Sequence, residues 1–202
     1  MKRTRSGSEK PEGVPHPRRL VVGITGASGI AVGARILELL KDSGIETHLV
    51  MSRAAEMALA YETDRSLKEV RSLAGVHHGA MAVGASIASG SFPTMGMVIA
   101  PCSVRTMSEI ATGVTSTLVA RAADVTLKER RRLVLAVRET PLHLGHLRSM
   151  TALAEMGAVV APLAPAFYPR PKSVDEMVDH MAGRLLDLFG LETGAVRRWE
   201  GP

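Results

Sequence analysis

The chain has 202 residues, 46% of them hydrophobic, which is enough for one sizeable core, and no break in composition calls for a second domain. Its formal net charge of +5 is concentrated at the start, where residues 1–19 set Lys2, Arg3, Arg5, Lys10, Arg18 and Arg19 against Glu9 and Glu12 and leave the remainder nearly neutral. A neutral body with 3% aromatic residues argues against nucleic acid, the single Cys102 rules out an intrachain disulfide and fits a reducing, cytoplasmic setting, and no apolar run reaches the ~18 residues of a membrane helix.

Residues 1–18 are rich in Lys, Arg, Ser, Gly and Pro and lack periodicity, so a disordered basic tail is predicted there. A first strand is predicted near 19–25, stopping in Thr25-Gly26-Ala27-Ser28-Gly29 before an amphipathic helix near 29–43. Small residues between a strand and a helix N-terminus leave backbone N–H groups and a positive dipole end open to an anion, the makings of a phosphate cradle. Ser43-Gly44 supplies a C-terminal glycine for that helix. A second strand near 45–51 ends in Ser52 and Arg53, and helices near 53–61 and 66–74 follow. The weakly patterned, Gly-rich stretch from Gly75 to Pro93 is expected to be a mobile loop.

Further on, a strand near 96–101 ends in Pro101-Cys102-Ser103-Val104-Arg105-Thr106 and leads to helices near 104–112 and 115–123. A strand near 132–138 ends in Arg138-Glu139-Thr140-Pro141, before a helix near 143–156 and a strand near 157–161. The last helix, near 173–189, opens with Ser173 and Glu176 at the spacing of a capping box.

Alternating strands and helices predict an α/β fold: a single-domain Rossmann- or flavodoxin-like, doubly wound parallel sheet. In such a sheet the ligand lies outside the carboxyl ends of the strands. Each polar strand end here can be read as a helix cap alone, but four along one edge point to a shared site. His143 and His146 are spaced like metal ligands but lack a third partner, so no metal site is expected. Cys102 has no histidine at a matching place and reads as a small buried residue. Tyr168 and Lys172 have the Tyr-x-x-x-Lys spacing of nicotinamide dehydrogenases, yet Pro169 and Pro171 forbid the helix that would align them.

The segments TGASG (25–29), PCSVRT (101–106), ATG (111–113), RAADVTLKERRRLVLAVRETPL (121–142) and FYPRPKSVDEMVDH (167–180) together resemble the flavin prenyltransferase family of the UbiX type. The resemblance runs from about Arg19 to Trp199 and implies a flavoprotein domain over 19–202. It implies transfer of a dimethylallyl group from dimethylallyl monophosphate to reduced FMN, with the product passed to a UbiD-type decarboxylase. It also implies a homo-oligomer, a dodecamer being one such assembly. For FMN it assigns Gly26, Ala27, Ser28, Ser52, Ser103, Val104, Arg105, Thr106 and Arg138. For the allylic phosphate it assigns Arg121, Lys128, Tyr168, Arg184 and Trp199, with Tyr168 and Arg184 coming from a neighbouring subunit. Glu139 is the implied acid–base group, and Lys128, Ser28 and Glu62 complete the implied catalytic set.

Breaking an allylic C–O bond to phosphate leaves a delocalised cation and a dianion, so fixed Arg and Lys donors around the leaving phosphate suit this chemistry. The chain departs from relatives in having no aromatic in residues 80–87, Ser116-Thr117 before Leu118, and Arg at 105, which bears on substrate detail more than on reaction type. Two other readings stand beside it: an FMN-dependent decarboxylase of the cysteine-decarboxylase type, and a non-catalytic flavin carrier.

Overall fold

The computed structural model describes residues 18–199 and residue 201; most of the expected basic tail, residues 1–17, lies outside them. The strands are β1 (Arg19–Ile24), β2 (Glu46–Met51), β3 (Val76–His78), β4 (Gly96–Cys102), β5 (Arg132–Val137) and β6 (Val159–Val160). They form one parallel sheet in the order β3-β2-β1-β4-β5-β6. The helices are α1 (Ile30–Leu40), α2 (Arg53–Glu62), α3 (Leu67–Ser72), α4 (Val104–Ala111), α5 (Leu118–Lys128), α6 (Leu144–Glu155) and α7 (Val174–Asp187).

Both faces of the sheet are covered, and the strands show it by alternation. Leu20, Val22 and Ile24 of β1, with Val98 and Ala100 of β4, pack under α1 and α7. Val21, Met97, Ile99, Leu133 and Leu135 pack on the other face with residues of α4, α5 and α6. The approach of α1 to β4 is close at Gly33, where a Cβ would fall 2.2 Å from the Ala100 carbonyl oxygen.

The expected loop 75–93 contains structure that the sequence pattern hides. Val76–His78 pairs with His48–Val50 as an edge strand, and Ser86–Ala88 makes a turn of 3-10 helix. Three residues are too few to show a period, and this strand exists because β2 offers its free edge. The helix expected at 115–123 instead begins at Leu118, because the Thr117 hydroxyl accepts the Ala120 N–H, and it continues to Lys128. Arg130, at φ 56, turns the chain out of it. At α7 only half of the capping box forms: Ser173 accepts the Glu176 N–H, but the Glu176 carboxylate takes the N–H of Lys172. The full box occurs at α3, between Ser66 and Glu69.

Candidate active site

The sheet order reverses at β1, whose neighbours β2 and β4 lead away in opposite directions, and the polar strand ends gather there. Thr25 is completely buried; its hydroxyl donates to the Pro101 carbonyl at 2.9 Å and accepts the Ser103 N–H at 2.8 Å. One side chain thus clasps the ends of β1 and β4. Two helices start beside this clasp. The Ser52 hydroxyl accepts the Ala55 N–H at 3.1 Å in α2, and the Ser103 hydroxyl accepts the Thr106 N–H at 3.3 Å in α4. Each cap satisfies one of the four free N–H groups at its helix end, and those that remain, with the positive dipole end, suit an anion.

A cavity of about 590 Å³ opens above these ends. Gly26 to Ser28, Ser52, Ser103 to Thr106 and Arg138 all line it, and Glu139 joins them. The Leu118 N–H donates to the Ala80 carbonyl at 2.9 Å, tying down the wall formed by Ala80 and Met81. Donors at two helix ends fit a phosphate, and Met81, Val104 and Val119 offer apolar cover for a flat ring, so the residues present fit a flavin mononucleotide. Arg53, Arg105, Arg138, Glu109 and Glu139 also line the cavity, with Arg105 Nε held on Glu109 of the same helix at 3.0 Å. The Arg138 backbone N–H donates to the Cys102 carbonyl at 3.1 Å, and a Glu139 carboxylate oxygen accepts the Thr140 N–H at 3.0 Å.

One end of the expected cradle carries a partner from within the chain. The N-terminus of α1 already holds an anion of the chain's own, because Glu62, at the end of α2, accepts the N–H groups of Gly29 and Ile30. Glu62 thus stands next to Ser28 as a fixed carboxylate, while the capped N-termini of α2 and α4 open on the cavity.

The residues assigned to the allylic phosphate are not gathered at this cavity within one chain. Lys128 ends α5 about 15 Å along the helix from Leu118, near the opposite edge of the sheet. There it pairs with Glu129, and a Cβ on Gly90 would come within 2.7 Å of its Nζ. Arg121 pairs with Asp124 at 2.9 Å on the same helix. Tyr168, Arg184 and Trp199 line a second cavity of about 630 Å³ between α7 and the C-terminal segment. Beside it Asp187 holds both Arg184, at 2.8 Å, and Arg198, at 3.0 Å. Burial acts to raise the Asp187 pKa, but the hydrogen bonds from Arg198 and Arg184 outweigh it and hold the carboxyl below its ordinary value.

Cys102 is fully buried and desolvation pushes its thiol up to about 12, a protonated, inert state at neutral pH. His143 caps α6 by accepting the N–H groups of Gly145 and His146, and no cluster of three metal-ligating side chains occurs among the described residues. Sequence reasoning overlooked Glu109, Asp187 and His180. The first two have a visible signal, an Arg four residues before Glu109 and three before Asp187; His180 has none, since its role depends on a loop folding back over α7.

The Flavoprotein family profile matches residues 8–186. The flavin prenyltransferase UbiX of Escherichia coli K12 is 57% identical over 187 residues, covering 91% of this chain and 99% of that protein. Among solved structures, AnUbiX in complex with FMN and dimethylallyl pyrophosphate superposes with a TM-score of 0.91 at 47% identity, covering 92% of this chain and 99% of that one. A dodecameric FMN-dependent UbiX-like decarboxylase of Escherichia coli O157:H7 gives a TM-score of 0.89 at 47% identity, over 91% of this chain and all of that one. With strand ends, cavity and sequence in agreement over nearly the whole body, the chain belongs to the flavin prenyltransferase family, the UbiX group of flavoproteins.

Proposed function

We propose that this chain transfers the dimethylallyl group of dimethylallyl monophosphate to reduced FMN, without a metal, and that the prenylated flavin passes to a UbiD-type decarboxylase elsewhere in the cytoplasm. The observation that carries this is the single cavity shared by the small-residue turn, two serine-capped helix ends and the Arg138-Glu139 pair. Bound reduced FMN supplies the nucleophilic ring atoms. Ser52, Ser103 and the N–H groups behind them hold its phosphate, and Val104 and Val119 keep water from its ring. Arg138 adds positive charge, while the Glu139 carboxylate carries a proton to the departing phosphate or away from the acceptor. Ser28 lines the opposite rim, where Glu62 fixes the turn that carries it by accepting the Gly29 and Ile30 N–H groups.

The allylic phosphate needs Arg121, Lys128, Tyr168 and Arg184, with Trp199 bordering the prenyl chain. Lys128 lies at the far edge of the sheet and Tyr168 in a second cavity, so one chain cannot close all of them on one ligand. A homo-oligomer resolves this by bringing those groups from neighbouring copies, as a dodecamer such as that of the E. coli relative allows.

Anaerobic incubation of protein, reduced FMN and dimethylallyl monophosphate tests the reaction directly. The expected result is a flavin whose mass has grown by one dimethylallyl group. FMN bound with no change in mass makes the protein a carrier, and release of CO2 from a cysteine-ended peptide makes it a decarboxylase. Mixed assemblies test the shared site: Glu139→Gln and Lys128→Ala chains, each defective alone, regain activity when denatured together and refolded as one oligomer.

A further inference from the structure

Tyr168 is held more tightly than packing alone requires. Its hydroxyl lies 3.1 Å from His180 Nε2 and 3.1 Å from the Arg197 carbonyl oxygen. The rings of Tyr168 and His180 meet edge to face at 5.6 Å and 82°, and Trp199 closes the other side at 5.7 Å and 78°. His180 is 8% exposed and sits one turn before Arg184 on α7, so the phenol and the Arg184 guanidinium are presented to the same cavity by one helix face.

We propose that His180 is the positioning residue that fixes the Tyr168 hydroxyl for capture of the allylic phosphate. The proposal rests on the reading that Tyr168 contacts that phosphate. Its basis is the proton count. A phenol has a single proton to donate, and a carbonyl oxygen can only accept, so with both bonds made the proton of Tyr168 points at Arg197. His180 must then be the donor, with its hydrogen on Nε2. When a phosphate oxygen arrives, the phenol proton swings from the Arg197 carbonyl to the phosphate while the imidazole N–H keeps hold of the oxygen. A hydroxyl that accepts one hydrogen bond donates a stronger one, so the same contact both places and sharpens the donor. A phenylalanine at this position fills the same space and does neither.

The test is steady-state kinetics under anaerobic conditions on the full-length assembly, with dimethylallyl monophosphate varied and reduced FMN saturating. His180→Phe is expected to raise KM for the allylic phosphate about three- to tenfold, the scale of one neutral hydrogen bond, with kcat and FMN affinity within about twofold of the parent. His180→Gln, whose amide nitrogen can take the place of Nε2, is expected to restore KM to near the parent value. In a Tyr168→Phe background, His180→Phe is expected to add nothing, because there is no hydroxyl left to position. An unchanged KM in His180→Phe, a His180→Gln as impaired as His180→Phe, or the same fold-increase with and without the Tyr168 hydroxyl each overturns the proposal. If Tyr168→Phe itself leaves KM unaltered, it is the placement of Tyr168 at the phosphate that fails, and His180 is then only a packing residue.

Discussion

Glu62 Oε2 accepts the N–H of Gly29 at 2.8 Å, so the last turn of α2 closes the first turn of α1 across 33 residues of sequence. A negative group on a helix N-terminus is favourable by about 0.3–1 kcal/mol at an exposed site. Glu62→Gln keeps the shape and loses the charge. The expected cost is a fall in Tm of about 1–4 °C, read by calorimetry, since a domain of this size loses about 2–4 °C per kcal/mol.

Glu139 and Arg138 share one strand end at the cavity, and on the proposed reading Glu139 moves a proton while Arg138 supplies charge, so their losses should separate. Glu139→Gln is expected to keep FMN affinity within a few-fold and to slow prenyl transfer by on the order of 10²-fold or more, the usual scale of a positioned acid–base group. Single-turnover mixing of FMN-loaded protein with dimethylallyl monophosphate measures this. Parent-like turnover removes Glu139 from proton transfer.

On the proposed reading Lys128 gives the allylic phosphate a charged hydrogen bond worth roughly 1.5–3 kcal/mol, so Lys128→Ala is expected to raise KM for it about 10- to 150-fold. FMN titration of the same variant should match the parent, because the lysine lies away from the flavin cavity of its own chain.

Asp187 gives a dependence on pH whose sign is fixed. Its pKa is depressed below the ordinary 3.8, burial opposing and Arg198 and Arg184 prevailing, so it stabilises the fold above that value and the contribution is lost as pH falls through the lower folded pKa. Both guanidiniums are half exposed, which limits the gain to about 1 kcal/mol. Urea unfolding of the parent and Asp187→Asn should therefore differ at neutral pH and converge as pH falls below the depressed pKa.

Gly33→Ala should be costly where a helix normally welcomes alanine. The added Cβ would meet the Ala100 carbonyl oxygen at 2.2 Å and Ile24 Cδ1 at 2.9 Å, forcing α1 off β4. A loss of about 1–3 kcal/mol is expected, seen as a lower urea midpoint with an unchanged slope.

Most of the architecture is legible in the sequence because β1, β4 and β5 are short apolar runs rich in Val, Ile and Leu that alternate with longer helical patterns, and because Ser52, Ser103 and Arg138 each follow a strand directly. What escaped was decided by partners distant in the chain. Val76–His78 is a strand only because β2 is beside it, and the start of α5 turns on which of several small hydroxyl residues reaches back to an N–H. Likewise TGASG announces a cradle for an anion, but only the fold shows that Glu62 takes the end of α1 for itself.

The clasp made by Thr25 has a kinetic side. Opening the floor of the flavin cavity means breaking two bonds of a fully buried hydroxyl in concert, whereas the opposite wall is tied to α5 by the bond between Leu118 and Ala80 and carries a Met81 that is 69% exposed. Amide exchange at Ser103, whose N–H is held by the buried Thr25 hydroxyl, is therefore expected to be slower than at Leu118, whose N–H meets the exposed wall.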